Sequence, residues 1–169
     1  MITTKEIANE ILNFDDEKNL VEVKSDFREK VSELERIGHI ENVWMSDEEL
    51  QEKNPVKHTF TDGYYMREIF SPANQILISK IHKREHAYFL MKGELSILTE
   101  EGVFKIKAPH QGITKPGTKR VIYTHSDVTF ITVHGTDKKT VEEVEEEVIA
   151  KDYSDPLITA EDLKLLKSI

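Results

Sequence analysis

Apolar positions along this chain change their period twice. Over residues 1–60 they recur every three or four residues, the spacing of one face of a helix. Ile7, Ile11 and Leu12 share such a face within residues 3–14, where Thr3 and Glu6 fit a capping box. Phe27, Val31, Leu34 and Ile37 predict a longer helix from Val23 to Ile37, with Gly38 placed to cap its end. A further helical turn is predicted from Ser46, with Glu49 as its reciprocal cap, ending before Asn54-Pro55.

From Gly63 the alternation becomes that of strands. GYYMREIF leads through the turn Ser71-Pro72-Ala73-Asn74 into QILISKIH, and HAYFLM follows. Lys92-Gly93 turns the chain into ELSILT, Glu101-Gly102 into VFKIKA, and Pro109 breaks that strand. After GIT, the Lys115-Pro116-Gly117 turn opens TKRVIYT, and Ser126-Asp127 separates it from VTFITVH. About eight short strands at intervals of roughly 8 to 12 residues predict an antiparallel sandwich or barrel. Beyond Gly135 the helical period returns. Thr140 and Glu143 box the start of VEEVEEEVIA, Asp155-Pro156 interrupts it, and Thr159 opens a last amphipathic helix. The expected organisation is a helical extension over 1–58, a β domain over 59–136 and a helical tail over 137–169.

Charge refines this picture. The net charge of −9 divides into −7 over residues 1–60, +4 over 61–140 and −6 over 141–169. Acidic ends oppose a nucleic-acid backbone, while a cationic middle suits a small anionic ligand. No apolar run approaches the roughly 20 residues of a membrane span, and the first residues lack the basic start and apolar block of a leader. Without cysteine there is no disulfide and no thiolate ligand. The expected setting is cytoplasmic, with no nucleic-acid or membrane partner. The helices serve either as a packing layer or as an arm that makes a dimer.

Candidate chemistry gathers in KIHKREHAYFLMKG, residues 80–93. Read as a hairpin, it turns through Lys83, Arg84 and Glu85, so that His82 and His86 flank one mouth of the sheet. Alternation turns Lys80 and His82 the same way, and likewise turns His86, Tyr88 and Leu90 to one face. His134, ending the last strand, offers a third imidazole. Three neutral imidazoles with open positions suit Zn, Fe, Ni or Mn. Glu85 lies between the first two rings as a further ligand or a general acid/base. Tyr88 would add a ring wall and a hydroxyl. The plain alternative is that these histidines are ordinary polar residues at a turn and a strand end. Isolated glycines at 102, 112 and 117 form no phosphate loop or dinucleotide fingerprint.

The run from Gln75 to Met91 with its continuation YFLMKGEL, followed by KPGTKRVIY, resembles the two signature motifs of the cupin superfamily. The resemblance spans residues 63–136. The narrower likeness, over MREIFSPANQILISKIH to ITVHGT, is to small single-domain proteins of bacteriophage and environmental genomes. It implies a mainly β fold, a cupin-like antiparallel β-barrel or double-stranded β-helix with N- and C-terminal α-helices. Metal-binding cupins present three histidines and a glutamate. Here His82 falls on the second histidine, His86 on the glutamate, Lys80 on the first histidine and Arg120 or its neighbour on the third. The match also points Arg120 inward, on the face of Ile122. An inward guanidinium needs Glu94, Glu68 or an anionic ligand, and Lys80 would add charge beside it. Three functions follow. One is a protein binding a small polar or anionic ligand with a divalent metal, which would include a metal-dependent enzyme. The others are a metal-free ligand-binding or sequestering protein and a non-catalytic assembly protein.

Overall fold

A computed structural model describes residues 27–36 and 45–150. The helices expected over 3–14 and from Thr159 lie outside the described residues. Residues 27–36 form a helix, α1, the described part of the one expected over Val23 to Ile37. Helix α2 (Asp47–Lys53) carries the expected capping box: the Glu49 amide donates to the Ser46 hydroxyl at 3.2 Å and the Ser46 amide donates to the Glu49 carboxylate at 3.0 Å.

Eleven strands follow among the described residues: β1 (Val56–Phe60), β2 (Tyr64–Ser71), β3 (Ile76–Ile78), β4 (Ile81–His82), β5 (His86–Lys92), β6 (Glu94–Thr99), β7 (Gly102–Lys107), β8 (His110–Thr114), β9 (Val121–Thr124), β10 (Val128–Gly135) and β11 (Ile149–Ala150). Helix α3 (Val141–Val148) precedes β11 and starts at the Thr140–Glu143 box. Strands β1 and β11 have no counterpart in the hydrophobic pattern, and QILISKIH divides into β3 and β4. The stretch after Pro109, read only as GIT, is the five-residue strand β8.

Pairing is nested. β6 pairs β7, β5 pairs β8, β3 pairs β9 and β2 pairs β10, all antiparallel. This is one long two-stranded ribbon folded back through successive turns, the plan of a double-stranded β-helix. Lateral pairing of β10 with β5 and of β6 with β9 ties the turns together. The ladders make a five-stranded sheet, β1-β2-β10-β5-β8, and a four-stranded sheet, β3-β9-β6-β7. These are two facing sheets joined by the ribbon's corners, as in a jelly roll, rather than one hydrogen-bonded barrel.

Leu90, Val128 and Phe130 of the larger sheet meet Leu95 and Ile97 of the smaller one between the layers. Leu98 and Val121 point the other way and are still buried, because Phe27, Val31 and Leu34 of α1 cover that outer face. At Gly93 the turn between β5 and β6 adopts φ +88°, and a Cβ would meet the Asp127 carbonyl at 2.2 Å, so only glycine fits. Leu90 is fully buried at the centre of the inter-sheet cluster. Leu90→Ala is expected to cost about 2–5 kcal/mol, read as a lower urea midpoint with an unchanged m-value. A loss below about 1 kcal/mol would place the core elsewhere.

Candidate metal centre and ligand cavity

The expected hairpin through Lys83–Glu85 does not form. β4 pairs β11, and β5 pairs β8 and β10. The nested ribbon sends β5 into the larger sheet, while the short β4 is held by the C-terminal segment. His82 and His86 therefore meet across a corner of the fold rather than as partners flanking a hairpin. Ring centroids lie 4.1 Å apart for His82–His86, 4.4 Å for His86–His134 and 5.2 Å for His82–His134. One ring nitrogen from each lies within 4.8 Å of the others.

Each ring is placed by a separate device. β5 and β10 are neighbours, and alternation puts His86 and His134 on the face that carries Tyr88, Thr132 and Phe130. His82 is fixed by the pairing of its residue with Ile149 and by its carbonyl, which accepts from the Gly117 amide at 2.8 Å. Helix α3 reinforces that corner. Lys80 pairs Glu145 at 3.0 Å, Arg84 pairs Glu147 at 2.8 Å, and Lys83 donates to the Glu146 carbonyl at 3.4 Å. Val144 and Val148 pack on Tyr65, closing the same end of the sandwich.

Electrostatically the three rings are held neutral. Burial lowers His82 to about 2, helped by the proximity of His86, His134 and the Arg120 and Arg67 guanidinium groups. Burial likewise lowers His86 and His134 to about 4 each. His86 Nδ1 lies 3.3 Å from the Arg84 carbonyl, which fixes the proton on Nδ1 and leaves Nε2 as the lone-pair nitrogen. His86 Nε2 and His82 Nδ1 are buried with no hydrogen-bond partner. Leaving two buried polar nitrogens unpaired is costly, and a divalent cation is one group that both could ligate. The donor set therefore fits a borderline transition metal.

Arg120 lies near this cluster. Its residue is 8% exposed, its guanidinium donates to the Thr114 hydroxyl, and its Cζ sits 4.8 Å from the centroid of the Tyr88 ring. The Tyr88 ring has room because Gly112 stands opposite it; a Cβ there would meet the Tyr88 hydroxyl at 2.5 Å. The Tyr88 hydroxyl contacts His110 Nε2 at 3.3 Å. Neither suggested carboxylate reaches Arg120: Glu94 pairs Lys105 at 2.5 Å, and Glu68 sits opposite Lys57, one register position away from the inward row. No described carboxylate forms an ion pair with this guanidinium. Arg120, Tyr88 and Thr114 line a cavity of about 430 Å³.

The sequence-derived set thus divides. His82, His86 and His134 converge, and Arg120 with Tyr88 adjoins them. Lys80 does not join them, because its ammonium is held at the surface by Glu145. Glu85 is an exposed residue between β4 and β5 and is not part of the histidine cluster. Three residues went unread. Arg67 shares a register row with Thr132 and Tyr88 and contributes to depressing His82 and His134. His58 Nδ1 lies 2.6 Å from the Tyr65 hydroxyl, and His110 contacts Tyr88. Alternation with Tyr65 and Ile69 was the available signal for Arg67; His58 and His110 sit on strands whose pattern is too short to read.

No protein-family model matches the chain, and no curated protein does. Solved structures do resemble it. An RmlC-like cupin from Methanocaldococcus jannaschii is 16% identical with a TM-score of 0.43, covering 50% of this chain and 81% of that one. Ectoine synthase from P. lautus is 14% identical with a TM-score of 0.46, covering 54% and 70%. A cupin superfamily protein from Desulfitobacterium hafniense is 10% identical with a TM-score of 0.42, covering 50% and 81%. These likenesses concern the fold alone. With its ribbon nested as described and both sheets in jelly-roll order, the chain is a double-stranded β-helix.

Proposed function

We propose that this chain binds a divalent metal ion through His82, His86 and His134 and takes a small polar or anionic ligand beside it at Arg120. The observation that carries the reading is the pair of buried, unpartnered ring nitrogens on His82 and His86, next to a third buried imidazole. Zn, Fe, Ni and Mn all suit three imidazoles. Such an ion, when bound, would activate water or dioxygen or polarise a carbonyl. Arg120 and Tyr88 would hold the ligand's charged end in the adjoining cavity, whose wall they share with Thr114. A homodimer in a cytoplasmic setting, without nucleic acid, belongs to the same reading. Among the described residues no helix is long and apolar enough to cross a membrane.

A second reading has an observation of its own. The Arg120 and Arg67 charges that depress the histidines also repel a cation. A metal-free protein capturing an anion would have that charge balance. Metal analysis of protein purified without a nickel column, beside a His82→Ala/His86→Ala variant, separates the two. The metal reading expects close to one equivalent in the parent chain and a background level in the variant. Equal content in both would remove the site.

A further inference from the structure

We infer that the cavity beside Arg120 is a binding site for a monocarboxylic acid with an apolar body, its carboxylate on the guanidinium and its hydrocarbon portion toward the open end. This rests on the ligand half of the function proposed above and specifies its chemistry. The first support is charge. Arg120 is more than nine-tenths buried, lines the cavity and has no described carboxylate partner. A buried guanidinium without a counter-charge is expensive, and most of its five donors are still open after one bond to Thr114.

Of the two guanidinium groups near the histidines only Arg120 lines the cavity, so the one fixed positive charge there without a described carboxylate partner is matched by one negative charge. A dianionic phosphate would leave an excess negative charge in the same desolvated position. The planar donor fork also matches the two oxygens of a carboxylate. Thr114 strengthens the match, since its hydroxyl oxygen accepts from Arg120 and its proton is free to donate to an anion.

The second support is the wall. Ile97, Ile106 and Phe104 line the same cavity as Arg120, so the pole of charge is followed by apolar surface. At the rim the charges cancel in pairs. Arg28 is bonded to Glu100, and Lys115 pairs Glu101 at 3.5 Å. Nothing there offers a second fixed charge to a ligand, and a volume of about 430 Å³ lies in the range of small-molecule sites.

The test is calorimetric titration of the full chain with phenylacetate, 2-phenylethanol and inorganic phosphate, in chelator-treated and metal-loaded forms. Phenylacetate is expected to bind both forms, and the other two at least about tenfold more weakly. Arg120→Met should remove the phenylacetate preference without lowering metal content, since the charge it removes opposes a cation. Its thermal midpoint should stay level or rise, because a buried unpaired charge has been replaced by an apolar side chain; that measurement separates lost binding from lost folding. Arg120→Lys keeps the charge without the fork and should bind at an intermediate level. Tighter binding of phosphate overturns the carboxylate assignment and leaves an anion site standing. Equal binding of phenylethanol overturns the role of the charge. If neither anion binds while metal does, the ligand half of the proposed function fails with this inference and the metal half survives.

Discussion

Chelator-treated protein is expected to lose stability steeply between about pH 6.5 and pH 4. Unfolded histidine titrates near 6.5, whereas His86 and His134 are held to about 4 and His82 to about 2, burial being the largest cause for each. Between these limits the unfolded chain binds protons that the folded chain refuses. Stability therefore rises with pH across the window and falls as acid is added. Each ring contributes a slope on the order of 1 kcal/mol per pH unit. Three rings over about two units give a loss comparable with the whole stability of an ordinary domain, about 5–15 kcal/mol. Urea unfolding at pH 7, 5.5 and 4.5 measures it. A His86→Gln/His134→Gln variant should show a distinctly shallower fall. A flat profile for the parent chain over this range would mean that the rings are wet and protonate freely.

Metal added to the same chelator-treated protein at pH 7 is expected to raise its thermal midpoint by roughly 5–10 °C when free ion exceeds the dissociation constant about a hundredfold. Mass action then contributes about 2.7 kcal/mol, and a chain of this size converts each kcal/mol into about 2–4 °C. Because the rings are already neutral at that pH, the ion displaces few protons and the shift should vary little between pH 6.5 and 8. The His82→Ala/His86→Ala variant should show no shift. An equal rise in that variant would place the ion on other groups, such as the acidic face of α3. Phenylacetate should enlarge the rise in the parent chain, since an anion on Arg120 removes part of the charge that opposes a cation.

Much of this architecture was legible from alternation and turns. β2, β5, β6, β7, β9 and β10 fall where the apolar period of two and the glycine or proline turns put them. Both described capping boxes formed where Ser46 and Thr140 predicted them, because a cap depends on residues three apart along one chain. β1 and β11 escaped notice because their burial comes from partners far along the chain. Val56–Phe60 pairs with β2, and Ile149–Ala150 is a strand only through Ile81–His82.

The candidate site divides along the same line. The amino-acid sequence by itself determined the chemistry available: three imidazoles and an arginine at strand positions, no thiol, and strand alternation that turned His86 and Tyr88 to one face. Tertiary structure alone decided which groups met. Lys80 and His82 are two residues apart on one segment, yet an acidic helix 65 residues away draws Lys80 to the surface while His82 turns toward two rings from other strands. Glu94 was an available partner for Arg120, but alternation with the inward Leu95 and Ile97 puts it on the outer face of β6, where Lys105, diagonal to it on β7, pairs it. Which charges are neutralised and which stay bare depends on distances across the sandwich. Those distances are set by sheet register, to which a one-dimensional pattern gives no access.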